Sequence, residues 1–411
     1  MSSQIVINDF ATQDESSTTL KDIALIFLLA CIQFTFVIDY IIILPLGPEI
    51  MKSFQIRPDE YGLIISVYTL TAAIAGFFSS FIIDRFDRKQ SLLFCLFYFL
   101  TGSILCFMAN TYYFFMLARM FTGAFGGVMS SLVMVYLGEK FSLKKLGVAT
   151  SFVMIANGMA TIVGVPAAVY FSNNYGWKFP FMVLITIIFL VLIITYFFLP
   201  KVKRPTTTVR SNVSGKLRSV ILSPNFIWPV IFMSLLTFAG GSTILPFLSA
   251  FVSTNFYFST EEIALMFFYG GLAALFVNPI VGFLIDKFGK QNVFLLLNFI
   301  SIIPLLLLTT FPFTAKNATL LVTTLFFCLS TARQMSGITL VNSLFPNEYR
   351  GRFITINSSI QLLAGSAATA ISGKIIYTED NMLLNFDVLG VIGICATIIC
   401  IFAAFILEEQ N

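Results

Sequence analysis

The 411-residue chain contains no histidine, and only 11% of its residues are charged. Without histidine it lacks the commonest general base and the commonest metal ligand. No GxxxxGK[ST] loop occurs, so nothing in the chain points to ATP hydrolysis as a source of power. Its six cysteines, Cys31, Cys95, Cys106, Cys328, Cys395 and Cys400, all lie inside apolar runs, where a thiol reads as a small buried hydrophobe and not as half of a disulfide or a metal ligand. No clustered set of nucleophile, base and metal ligands stands out, so the chain does not read as an enzyme, and neither a cofactor nor a metal is expected. A cleavable leader is missing too. Residues 1–20 are polar and mildly acidic and read as a disordered tail, leaving the first apolar run to act as the insertion signal.

What the chain has in abundance is apolar length. Hydrophobic residues make up 58% of it, and its mean hydropathy is +0.92. A helix needs roughly 20 apolar residues to cross the bilayer core. Twelve such runs are read near 22–47, 60–83, 91–109, 112–138, 146–171, 179–199, 225–251, 261–285, 291–312, 318–344, 353–376 and 384–406. The expected fold is therefore an all-α membrane protein of twelve spans, with the lipid bilayer as its surroundings and no nucleic-acid partner.

The cations set the orientation. With the N-terminus inside, one face collects Lys21, Arg85, Arg88, Lys89, Lys140, Lys144 and Lys145, the cations of residues 201–218, and Lys287, Lys290, Arg350 and Arg352. The other face collects only Lys52, Arg57, Lys178, Lys316 and Lys374. By the positive-inside rule both termini are expected in the cytoplasm.

An internal repeat divides the chain. SFIIDRFDRKQ at 80–90 recurs as GFLIDKFGKQN at 282–292, and FSLKKLG at 141–147 is matched by FPNEYRG at 345–351. Both copies lie about 200 residues apart, which makes two six-helix halves running in parallel. The organisation expected is a tail at 1–20, a first bundle at 21–200, a basic cytoplasmic linker at 201–223 and a second bundle at 224–411. Rocking of one half against the other around a site at mid-membrane follows naturally from such a repeat.

One carboxylate is out of place in this apolar chain. Asp39 sits deep within the first run, in FVIDYIIILPLGPEI, where an acid costs about 2.5–3.5 kcal/mol unless a partner, water or a function retains it. Only Arg119 and Arg333 are cations at comparable depth. At 1.5 Å per residue, Asp39 and Arg119 each fall roughly 10 to 12 Å below the outer surface, so they are expected to meet. A pair of this kind has three readings: a proton-coupling site, a permanent structural tie between helices, or a direct substrate contact. Arg333 lies nearer the cytoplasmic face and is expected either to pair with Asp286 or Glu348 or to bind an anionic group of the substrate. Arg88 is expected to pair with Glu139.

The loop motif Ser80, Ile82, Asp84, Arg85, Phe86, Asp87, Arg88, Lys89 and its second copy Gly282, Leu284, Asp286, Lys287, Gly289, Lys290 resemble the signature between helices 2 and 3 of the major facilitator superfamily. Arg119 with Gly123, in LARMFTGAFGG, resembles its helix 4 pattern. TIVGVPAAVYFSNNYGWKFPF at 161–181 is similar to the antiporter signature of helix 5, with its glycine, Gly164, one place early before Pro166 and with Ala167, Ala168 and Val169 where glycines follow in the signature. The whole chain thus resembles the twelve-helix drug:proton antiporter branch, which includes sugar-efflux-like permeases. That resemblance implies a cytoplasmic latch made of Asp84, Arg85, Arg88, Glu139, Asp286, Lys287, Arg350 and Arg352. It implies a helix 5 hinge at Gly158, Gly164 and Pro166. It also implies a central cavity lined by helices 1, 4, 7 and 10, with Gln33, Tyr40, Ser242, Thr243, Arg333 and Gln334, and with Asn157 and Gln361 at nearly equivalent repeat positions. The function expected is export of a small organic molecule by proton antiport across a bacterial inner membrane, by a monomer. Two alternatives stand beside it: a proton symporter or facilitator for uptake of a sugar or metabolite, and a non-transporting sensor with a transporter fold.

Overall fold

The computed structural model describes residues 20–82, 86–141, 143–200, 224–310, 315–344 and 347–409, with backbone alone at 80–82, 143–144, 224–225, 347–355 and 407–409. Its first half contains α1 (Leu20–Ile41), α2 (Gly47–Phe54), α3 (Pro58–Ile82), α4 (Arg88–Met108), α5 (Tyr112–Lys140), α6 (Leu143–Met159), α7 (Val165–Tyr175) and α8 (Phe179–Phe198). Its second half contains α9 (Pro224–Phe238), α10 (Gly241–Asn255), α11 (Thr260–Phe288), α12 (Lys290–Thr310), α13 (Lys316–Ser343), α14 (Asn347–Ile375) and α15 (Phe386–Glu409). A short hairpin, β1 (Tyr377–Glu379) paired antiparallel with β2 (Met382–Leu384), joins α14 to α15. Its two turn residues, Asp380 and Asn381, both have positive φ, the geometry that tight hairpins require and that Asp and Asn tolerate.

Local chemistry fixes where the helices begin. The Asp87 side chain accepts from the backbone N–H of Gln90 at the start of α4, and Thr111 accepts from Phe114 at the start of α5. Ser259 and Glu262 form a reciprocal capping box at the start of α11, satisfying two backbone donors that would otherwise lack partners. Three of the twelve expected runs are not continuous α-helix: the first gives way to a turn at 42–46 between α1 and α2. α6 and α7 are joined by a single π-helical turn at Ala160–Gly164, with Pro166 in the first turn of α7. α9 and α10 break at Gly240, whose φ is 127°, a conformation that side chains with a Cβ rarely adopt.

Among the described residues, ten helical segments are long and apolar enough to cross a membrane. α13 and α14 fall short of that measure because they are rich in Ser, Thr, Asn and Gln, which suits helices that pack in the bundle interior. The chain is a multi-pass membrane protein, and the architecture agrees with two six-helix halves.

The halves meet along two equivalent seams: α3 lies against α14, and α11 lies against α6, the π turn and α7. Within the first half α3 also packs on α5, and the counterpart in the second half is α11 on α13. Small residues make these approaches close. A Cβ on Gly123 would run into the Tyr68 carbonyl, and one on Gly127 into the Ala72 carbonyl. At the face opposite the two ends of the described chain the halves are bonded directly. Ser249 donates to the carbonyl of Leu44, Ser366 donates to the carbonyl of Ser66 at 2.7 Å, and the Tyr61 and Phe247 rings meet edge-on at 6.1 Å.

Candidate functional site

α1 and α5 carry the two charges that the sequence places at equal depth, and the fold brings them together. Arg119 Nη1 donates to Asp39 Oδ2 at 2.8 Å, and the two side chains are only 1% and 0% exposed. Such a pair recovers its desolvation cost only with good geometry, and removing one partner typically costs about 3–5 kcal/mol because a bare charge is left behind.

The surroundings are aromatic. The Arg119 guanidinium carbon lies 4.0 Å from the ring centroid of Tyr68 on α3, close enough for a cation–π contact. Tyr68 in turn stacks on Phe36 at 6.4 Å and on Tyr40 at 5.8 Å, both from α1. Three polar atoms in this cluster are buried with no hydrogen-bond partner among the described residues: Asp39 Oδ1, Arg119 Nε and the Tyr68 hydroxyl. Buried polar groups are normally paired, so unpaired ones grouped around an ion pair single this cluster out as the candidate site.

Other expected site residues fall around this centre in varied ways. Gln33, also on α1, accepts from Ser130 of α5 at 3.1 Å. In the second half Gln334 donates to Gln361 at 2.9 Å, which joins α13 to α14. Thr243 donates to the carbonyl of Phe238 across the break between α9 and α10, and the Ser242 carbonyl accepts from Thr369. Asn157 is exposed and donates to its own helix neighbour Met154 at 3.6 Å, so the repeat equivalence with Gln361 does not bring those two amides together.

Arg333 corrects the expectation of an acid partner. It donates to Ser301, to Thr397 and to the backbone carbonyl of Ala239, while Asp286 is exposed and the Glu348 side chain lies outside those described. The reason is the break at Gly240. The end of α9 leaves carbonyl oxygens and the negative end of a helix dipole inside the second half, and the guanidinium satisfies them there instead of facing a central cavity.

At the opposite end of the first half, Arg88 makes a forked contact with Glu139, with hydrogen bonds of 2.6 to 3.0 Å. Asp84 and Arg85 lie outside the described residues, as do the side chains of Arg350 and Arg352. In the second copy of the motif Asp286 and Lys287 are exposed, and Lys287 lies 5.2 Å from the Phe288 ring centroid. The helix 5 glycines sit at the seam and beside the charge pair. Gly158 faces Leu275 of the other half, and a Cβ on Gly164 would collide with Ile38, the residue next to Asp39.

Sequence reasoning missed Tyr68. An aromatic residue in an apolar helix carries no mark of its own, and only the packing of α3 on α5 places it over Arg119. It also missed the bond from Ser172 of α7 to Glu49 of α2 at 2.5 Å, which anchors the short helix that follows α1.

A family model described as the Major Facilitator Superfamily matches residues 29–369. Among curated proteins, the uncharacterized MFS-type transporter YtbD of Bacillus subtilis (strain 168) is 22% identical over 367 residues, covering 89% of this chain and 91% of that protein. A probable sugar efflux transporter of Helicobacter acinonychis (strain Sheeba) is 22% identical over 246 residues, 59% of this chain and 60% of that protein. Among solved structures, a bacterial homolog of the human lysosomal transporter Spinster, in an inward-facing and unoccupied conformation, superposes with a TM-score of 0.78 at 14% identity, covering 96% of this chain and 99% of that one. A D-xylose-proton symporter gives 0.76 at 17% identity, covering 92% and 97%. At such identities the structural likeness speaks for the fold.

Proposed function

The chain belongs to the major facilitator superfamily, and from that premise we propose that this transporter exports a small organic molecule in exchange for protons, with Asp39 as the proton carrier. The observation that carries the proposal is the half-satisfied buried pair: Arg119 holds one oxygen of the carboxylate and leaves the other without a partner. An arginine contact favours the ionised acid and removal from water disfavours it, so an acid held this way changes its proton occupancy when either influence changes.

The inter-half bonds named above lie at the face opposite the chain ends. With that face outside, as the distribution of cations argues, the described conformation is closed at the outer face. In this state Asp39 is ionised and paired, and the site takes up substrate. When the halves rock the other way, the outer face opens, substrate leaves, and Asp39 accepts a proton from outside. The return movement delivers that proton to the cytoplasm as Arg119 re-forms its bond. One proton moves in for each substrate moved out, and no bond of the substrate is broken.

The test is transport in proteoliposomes under an imposed pH gradient, using a labelled pentose, a hexose, a nucleoside and a lipophilic cation as probes. Export driven by an inward proton gradient is expected for the wild type with at least one probe. Asp39→Asn is expected to keep counterflow of that probe and lose its response to the gradient. Unchanged coupling in Asp39→Asn would overturn the proton reading, and a gradient dependence of the opposite sign would replace antiport with symport.

A further inference from the structure

Tyr68 touches both members of the buried pair, yet the mechanism above gives it no part. Its side chain is 1% exposed. Its ring covers one face of the Arg119 guanidinium, and Nε there has no partner, so the arginine meets the carboxylate through Nη1 alone and not through the two-pronged contact it forms elsewhere, as Arg88 does with Glu139. The tyrosine hydroxyl lies beside the Asp39 carboxylate, one a donor and the other an acceptor, and neither the hydroxyl nor Oδ1 has another partner among the described residues.

The position is also mechanically suited. Gly123 lets the α5 backbone ride against the Tyr68 carbonyl, so the tyrosine keeps its place over Arg119. Two residues earlier on α3, the Ser66 carbonyl accepts from Ser366 of the second half. Parting of the halves at that bond therefore pulls on the turn of α3 that carries the hydroxyl.

We infer that Tyr68 is a positioning residue for proton exchange, its hydroxyl donating to Asp39 Oδ1 while the acid is ionised and its ring restricting Arg119 to a single carboxylate oxygen. The inference rests on the reading of Asp39 as the proton carrier. An O–H donor to a carboxylate stabilises the ionised form, so the hydroxyl makes the site release its proton more readily. The titratable groups around Asp39 are Arg119 on α5, Tyr68 and Tyr61 on α3, Cys106 on α4, and Tyr40 on α1 itself.

The test needs no substrate. Infrared difference spectra of the purified full chain in nanodiscs, titrated from alkaline to acid, show a carboxylic acid band, and the part that Asp39→Asn removes belongs to Asp39. In Tyr68→Phe, which keeps the ring and drops the hydroxyl, the midpoint of that band is expected to move toward alkaline pH. In Tyr40→Phe, which drops the hydroxyl of the neighbouring ring, it is expected to stay. If the Asp39 band titrates in the wild type and Tyr68→Phe leaves its midpoint in place, the tyrosine assignment falls and the proton-carrier reading stands. If no titrating band is lost in Asp39→Asn, both fall. Equal shifts in the two phenylalanine variants would also overturn the assignment, because they would show a general effect of repacking.

Discussion

The hydroxyl of Ser366 on α14 lies 2.7 Å from the carbonyl oxygen of Ser66 on α3, so one side-chain donor joins the two halves at the seam that parts in the proposed outward-opening movement. Ser249 does the same work nearer that face, donating to the carbonyl of Leu44. Each carbonyl belongs to the main chain and each donor is a side chain, so the contact is lost by substituting one residue without touching the other. A hydrogen bond of this kind contributes about 0.5–1.5 kcal/mol. The double variant Ser366→Ala with Ser249→Ala is therefore expected to raise the outward-open fraction by roughly 5- to 160-fold relative to the closed one. Distances between spin labels at the exposed positions Lys52 and Asp380 report it: a longer population is expected to grow in the double variant.

The charge pair was legible before any coordinates because depth is a matter of arithmetic: helices of known rise, read from opposite faces, put Asp39 and Arg119 at one level. The same reasoning failed for Arg333. Depth pointed to Asp286, Glu348 or a substrate anion, whereas the partners it has are two hydroxyls and a main-chain oxygen freed by a helix break that Gly240 hides within an apolar run. The repeat gave the two halves and their parallel order, and helix 5 showed its irregular backbone through Gly164 and Pro166. Tyr68 and Ser366 were not visible because their roles come from which helix faces they occupy, and a helix apolar all round does not declare its faces.

The clasp at the α9–α10 break gives a second prediction. Gly240 has φ of 127°, and a Cβ there would stand 3.0 Å from Arg333 Nη2. Gly240→Ala is expected to destabilise the protein by about 1–3 kcal/mol through backbone strain. Arg333→Ala removes a buried side chain and three hydrogen-bond donations, for an expected loss of about 2–5 kcal/mol. Arg333→Met retains most of the volume and is expected to lose less than Arg333→Ala. Thermal unfolding in detergent, followed by circular dichroism, ranks the three. A more stable Arg333→Ala would show that the guanidinium does not hold the break.

The forked contact between Arg88 and Glu139 gives a third. Their side chains are 11% and 18% exposed, so the pair is partly screened but not free in solvent. Glu139→Gln is expected to cost about 1.5–3 kcal/mol, the usual range for hydrogen bonds to charged groups. A swap of the two residues keeps the charges and is expected to recover part of that loss. A double-mutant cycle on unfolding measures the coupling directly, and a coupling energy near zero would remove this pair from the cytoplasmic latch.

The pair at the centre of the molecule has a stability role as well as the proposed transport role, and the two separate in a cycle of variants. Arg119→Gln leaves Asp39 buried beside aromatic rings without its cation, so a loss of about 3–5 kcal/mol is expected. Asp39→Asn leaves the guanidinium beside the Tyr68 ring and the Cys106 thiol without its anion, and a loss of similar size is expected. In the double variant both charges are gone and two amides of similar volume face each other, so most of that stability is expected to return. Gradient-driven transport is not expected to return with it, because no group remains that takes up a proton at this site. A double variant that regained both stability and coupling would show the pair to be a tie between α1 and α5, with the proton carried elsewhere.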